Sequence, residues 1–221
     1  FSVLFGKIAG MSTDGHPVFL FYLCGNLAWN YFGNVFGTGS NALQANAPLF
    51  SKVYFPRLIP PISQAFSALI NFFVQFFVLL LAIIIYKHEH LTSIAGINLA
   101  ILFLPLLVFQ SALLGLGLGF IVSAISVKYR DLARLATLMS QFIMYASPII
   151  YPISEIPEKY LPYVAYNPLT FIVESYRFVL LGRATACNME FAVPSISITI
   201  LLFIFGFFLN NKTQRRYIDY L

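Results

Sequence analysis

Charge is what this sequence has least of. Lys, Arg, Asp and Glu together fill 10% of its 221 positions, against roughly 25% in soluble globular domains. A soluble domain of this size keeps most of its area in water, and a chain with 59% hydrophobic residues has too few polar side chains to cover it. Disorder is excluded by the same excess, because disordered chains are poor in apolar residues. A mean hydropathy of +0.82 places the chain in a bilayer. The net charge of +5 comes from few, scattered cations. In a membrane protein these report topology, and no nucleic-acid partner is expected.

Cysteine and histidine are also scarce. Two cysteines cannot make a disulfide framework, although a bridge between Cys24 and Cys187 is not excluded by spacing. His88 and His90 flank Glu89, isolated in sequence from other ligands, and read as a solvated loop; no metal site is expected. No Ser/His/Asp or Cys/His grouping offers a nucleophile. Gly6-Lys7 lacks the upstream glycine of a phosphate loop, and the Gly115-Leu-Gly-Leu-Gly119 run fails the dinucleotide pattern at Phe120. The expectation is a non-enzyme with no catalytic residue and no cofactor bound by this chain. The chain opens on Phe1 without a signal-peptide pattern, and residues 1–8 read as the tail of an apolar segment, so the N-terminus is expected to be truncated.

A helix needs about 20 apolar residues to cross the hydrocarbon. Residues 18–45 begin apolar and turn small and polar near Asn34 to Asn41. Residues 62–86, 97–126, 135–153 and 192–211 carry no charge at all. The second of these runs is long enough to need tilt or a kink at Pro105. With the stub before Lys7 this makes six crossings in an all-α polytopic membrane protein. Residues 160–181 are apolar too, but contain Pro162, Pro168, Glu174 and Arg177, each costly in a lipid-facing helix. Two short helices that dip in from one side and return fit better. Six crossings with a cytoplasmic C-terminus put eight basic and two acidic residues inside and leave the outside at −1, as the positive-inside rule requires.

None of the five complete spans contains an ionisable Asp, Glu, Lys, Arg or His. Ion-coupled carriers usually bury such groups. The spans offer instead Asn71, Gln75, Gln110, Ser111, Ser140, Gln141 and Ser147, as glue between helices or as contacts for a passing sugar. Gly115 and Gly119, like Gly33 and Gly37, are small residues four apart that let helices approach closely, with substrate lining as the alternative. Gln141, Tyr145 and Tyr151 lie near one helix face if the helix continues through Pro148, which makes them candidate channel-lining residues.

Two inner loops have the composition of docking surfaces. One holds Lys52, Tyr54, Phe55, Pro56 and Arg57; the other holds Lys128, Arg130 and Asp131 and continues to Arg134. Aromatics and Arg anchor protein interfaces, while positive-inside charge with headgroup-level tyrosine is the other reading. Residues 148–182 are cut by Pro148, Pro152, Pro157, Pro162 and Pro168 and crowded with Tyr151, Tyr160, Tyr163, Tyr166 and Tyr176. Glu174 and Arg177, three apart, can pair on one helix face. The segment reads either as an interfacial aromatic belt or as a gate at the outer mouth.

The ordered set of motifs resembles the membrane subunit of ABC-2 type exporters of lipid-linked polysaccharides. The motifs are Phe5-Gly-Lys-Ile-Ala9, Asn46 with Lys52-Val-Tyr-Phe-Pro-Arg57, Val127-Lys-Tyr-Arg-Asp-Leu132, Ser147-Pro-Ile-Ile-Tyr-Pro152, Ile156-Pro-Glu-Lys-Tyr160, Tyr166-Asn-Pro-Leu169 and Leu180-Leu-Gly182. The resemblance implies one six-helix transmembrane domain over residues 1–221, in a bacterial cytoplasmic membrane. It would have a coupling loop at 51–61, an inner gate loop at 127–134 and re-entrant outer gate helices at 155–182.

The resemblance also implies a homodimer around a channel and two cytosolic ATPase subunits carrying ATP and Mg. The cargo would be an undecaprenyl-diphosphate-linked O-antigen or related polysaccharide. Lys52, Tyr54, Phe55, Arg57, Lys128, Arg130 and Asp131 would couple to the ATPase, and Tyr163, Tyr166, Asn167, Pro168, Glu174 and Arg177 would form the outer gate. Pro48 departs from the polar residue expected after Asn46. The rival readings are an ABC-2 permease for a small drug or lipid, an ion-driven flippase, and a membrane glycosyltransferase, for which Asp131 alone is too little acid.

Overall fold

The structure is a computed structural model, and it describes residues 13, 15–45, 58–89, 99–127, 131–182 and 189–217. Among these residues every regular element is helical. We number the helices α1 (Val18–Ser40), α2 (Ile59–Glu89), α3 (Leu104–Ser126), α4 (Asp131–Tyr145), α5 (Leu161–Ala165), α6 (Pro168–Leu181) and α7 (Ala192–Tyr217). Three stretches among the described residues are long and apolar enough to cross a membrane: Ile59–Tyr86, Ala100–Ser126 and Ala192–Thr213.

Prolines set the helix starts. Pro17 precedes α1, Pro60 and Pro61 occupy the first turn of α2, and Pro168 opens α6. At those places a missing N–H costs nothing, because the first N–H groups have no intrahelical acceptor. Pro105 follows the same rule. The sequence places it inside one long span that needs tilt or a kink, whereas Leu99–Phe103 winds as a 3₁₀ segment and the α-helix begins at Leu104, with Pro105 in its first turn. α4 ends at Tyr145, short of the 135–153 range, and a series of turns carries the chain past Pro148. Tyr151 therefore does not share a continuous helix with Gln141. Its hydroxyl instead donates back to the Tyr145 carbonyl at 3.1 Å.

α1 is the central post. α3, α2 and α6 pack around it, and α3 is clamped on its other side by α7. Leu20, Cys24, Leu27, Ala28, Phe32 and Val35 of α1 are almost wholly buried. Glycine makes these seams close. A Cβ on Gly115 would meet the Phe32 carbonyl at 3.1 Å, and one on Gly119 would meet Gly39 Cα at 2.9 Å. Gly117, on the opposite face of α3, meets α7: a Cβ there would sit 2.8 Å from Phe203 Cα. α3 thus uses alternate glycines for two different neighbours. The outward faces of α2 and α7 stay apolar and exposed, with Phe66, Ile70 and Phe77 on one and Leu201, Ile204 and Phe208 on the other. Such surfaces belong against lipid.

Candidate functional site

α6 organises one candidate site. Asn167 is its N-cap: the side-chain oxygen accepts from the Leu169 N–H at 3.1 Å, and the side-chain amide donates to Ser147 Oγ at 3.1 Å. Gly182 ends the helix at φ 75°, with its N–H on the Phe178 carbonyl. That left-handed turn is what a glycine is suited to close. The Pro168 carbonyl accepts from Ser195 Oγ, which itself receives Gln110 Nε2 at 2.8 Å. Asn167→Ala should therefore cost about 1 kcal/mol for the lost cap and also free the turn at Ser147. Asn167→Asp, which keeps an acceptor at the cap, should fall between it and the unaltered protein in thermal melting.

Within α6 lies a buried ion pair. Arg177 Nη1 meets Glu174 Oε1 at 2.5 Å, and the two side chains are 2% and 5% exposed. Arg177 Nη2 donates to the Ile149 carbonyl at 3.0 Å, and its guanidinium lies 3.7 Å from the centre of the Phe21 ring. One side chain so joins α6, the turn after α4, and α1. Gly25 makes room for it, since a Cβ there would stand 3.2 Å from Arg177 Nη2 and 3.1 Å from the Ile149 carbonyl. Beside Glu174 is a cavity of about 80 Å³, lined in part by Thr170, whose buried hydroxyl has no protein partner. Tyr163 is exposed on α5, and Tyr166 is exposed with its ring edge-on to Phe191 at 5.9 Å.

A second feature runs down α1. One side carries the half-buried Asn26, Asn30, Gly33 and Gly37 and the exposed Asn34 and Asn41, which fall on one face at 3.6 residues per turn. α2 adds Gln64, Ser67, Asn71 and Gln75, likewise on one face. Asn30 Nδ2 donates to Gln75 Oε1 at 3.0 Å and joins the two stripes. Near the Asn41 end they frame a groove of about 330 Å³, lined by Gly33, Asn34, Gly37, Thr38, Asn41, Ala45 and Gln64. A Cβ on Gly37 would meet nothing within 4 Å. The Gly33/Gly37 pair therefore lines an open groove, unlike the pair at Gly115 and Gly119. On α4, Gln141 and Tyr145 are exposed; Tyr151, after that helix, is half-buried.

The model of one family, the ABC-2 type transporter, matches residues 1–181. The chain belongs to the ABC-2 type transporter family. It is similar to an O-antigen export system permease protein, RfbA, of Klebsiella pneumoniae, at 26% identity over 99% of this chain and 80% of that one. The RfbA of Myxococcus xanthus is also 26% identical, over 90% of this chain and 74% of the relative. The polysialic acid transport protein KpsM of Escherichia coli is 26% identical over 76% of this chain and 62% of its own length. ABC-2 membership makes the chain an all-α, multi-pass membrane protein that serves as a transport subunit.

The structure brings Asn167, Pro168, Glu174 and Arg177 together on α6 and its N-cap, with Glu174 and Arg177 buried, Asn167 and Pro168 half-buried, and Tyr163 and Tyr166 exposed beside them. Lys52, Tyr54, Phe55, Arg57, Lys128 and Arg130 lie outside the described residues, and Asp131 is placed only as the start of α4. Sequence reasoning missed Gly25, and it missed the stripe of Asn26, Asn30, Asn34 and Asn41. The stripe's spacing was a usable signal; nothing in the sequence marks Gly25.

Proposed function

We propose that this chain is the permease half of an ATP-driven exporter of a lipid-linked O-antigen or related polysaccharide across a bacterial cytoplasmic membrane. Two copies enclose the path, and each docks a cytosolic ATPase subunit that carries ATP and Mg. The carrier lipid is undecaprenyl diphosphate. The observation that carries the reading is the uncharged polar face of α1 and α2, beside exposed faces of α2 and α7 that are apolar. Unpaired amides facing lipid are costly, and a face of that kind belongs against water or a polar cargo. Asn and Gln offer both donors and acceptors, which suits the hydroxyls of a sugar polymer. The relatives named for O-antigen export and polysialic acid transport support the same cargo class.

Among the described side chains the only buried charges are Glu174 and Arg177, and they neutralise each other. An ion-coupled carrier would need one free to titrate. In the proposed cycle, ATP closes the ATPase dimer and the inner loops pass the motion on through Lys52, Tyr54, Phe55, Arg57, Lys128, Arg130 and Asp131. Gln141, Tyr145 and Tyr151 add to the path wall, and the α5–α6 cap with Tyr163, Tyr166, Asn167, Pro168, Glu174 and Arg177 closes its outer end.

The test uses cells that express the chain with its ATPase, both native cysteines replaced and one new cysteine introduced. A bulky hydrophilic thiol reagent on Asn34→Cys or Gln141→Cys should cut export at least ten-fold while ATP hydrolysis continues. The same reagent with Ile70→Cys, on the lipid side, should leave export unchanged. Full export with position 34 and position 141 both modified would refute the reading.

A further inference from the structure

α2 rests chiefly on α1, and a cleft of about 570 Å³ separates it from α3. Phe66 and Phe73 form one wall, Phe109 and Leu113 the other, and Tyr31 of α1 lies behind them. The Tyr31 hydroxyl is the only polar side-chain group in the lining. Protein interiors rarely keep a void larger than a water molecule. Water does not fill this one, because each buried water needs 2–4 polar partners.

We infer that the cleft is a binding site for one acyl chain of a bilayer phospholipid, inserted between α2 and α3. Three features select that occupant. The mouth is continuous with the lipid-facing surface, since Phe66, Phe73 and Phe109 are at least half exposed. The α2 wall, from Ile62 to Phe73, rises about 16 Å at 1.5 Å per residue, roughly one leaflet's share of a hydrocarbon core about 30 Å thick. The lining offers no polar side-chain group besides the Tyr31 hydroxyl, which suits a bare hydrocarbon tail. The inference depends on the chain lying in a membrane and not on what it transports.

The full chain in nanodiscs of phosphatidylcholine, with a diazirine halfway along one acyl chain, provides the test. After illumination, adducts on Phe66, Phe73, Phe109 and Leu113 should exceed those on Leu201, Ile204 and Phe208 of α7 at least five-fold. Ala65→Phe and Ala112→Phe, which fill the cleft, should lower the cleft adducts at least five-fold and leave those on α7 unchanged. Ala65→Leu, a milder filler, should lower them less. Equal labelling of all lipid-facing helices in the unaltered chain would overturn the site, whatever the variants do. So would cleft labelling obtained only with diazirine-bearing undecaprenyl phosphate, or a disulfide between copies through Phe66→Cys.

Discussion

Arg177→Ala should cost about 3–5 kcal/mol, the usual penalty for removing one partner of a buried ion pair. The loss is large because Glu174 is left charged at 4% exposure, with its cation gone. The Ile149 carbonyl loses its donor and Phe21 loses the guanidinium on its ring face. A desolvated contact of the latter kind adds about 2 kcal/mol. The cap would then separate from α1 before the rest of the bundle melts. The double variant Arg177→Ala with Glu174→Ala removes the stranded charge and should recover part of the loss. Fluorescence-detected size exclusion after graded heating measures both. A double variant no more stable than Arg177→Ala would mean that the pair's charge is not what the fold depends on. In the proposed export cycle, both variants should leak before they fail, because the change loosens the α5–α6 end and touches none of the residues assigned to ATPase docking.

Gly206→Ala should have the second-largest effect for the smallest change in chemistry. A methyl added there would land on the Gly117 carbonyl oxygen, in a contact no folded chain tolerates. One methylene forced into a packed interior costs about 1–3 kcal/mol, and here the obstacle is backbone that no rotamer change can clear. α3 and α7 must separate, with the Phe120–Phe203 ring contact at 6.4 Å between them. Gly206→Val should be worse. Gly37→Ala is the contrast: its Cβ would enter open space, so the exchange should be neutral or gain up to about 1 kcal/mol of helix propensity. Folded yield in detergent, compared across the three variants, would show whether close approach or glycine itself matters at each position.

Much of this was legible in the sequence where local rules suffice. Asn167-Pro168 announces a helix start and Gly182 its stop, because capping involves only neighbours in the chain. The spacing of Glu174 and Arg177 predicted their pairing, and Gly115 with Gly119 predicted a close seam. Two things stayed hidden. Gly117 needs Gly206 and Gly25 needs Arg177, contacts between residues far apart in the chain, which no spacing encodes. The polar face of α1 was written in plain periodicity, but Trp29, Tyr31 and Phe32 between its asparagines made the run look merely less apolar. At Pro105 the apolar stretch is continuous, so the sequence suggests tilt or a kink within one span rather than a helix start. Composition does not reveal where a helix begins when both sides are equally greasy.

α2 has 31 residues in one unbroken helix, about 46 Å at 1.5 Å per residue. It is held mainly along a single seam. A rod hinged on one edge does not dissipate a push by bending; it swings. About the Asn30–Gln75 hydrogen bond, which lies near the middle of the rod, a tilt would carry the Ile59 and Glu89 ends in opposite directions through arcs of nearly equal length.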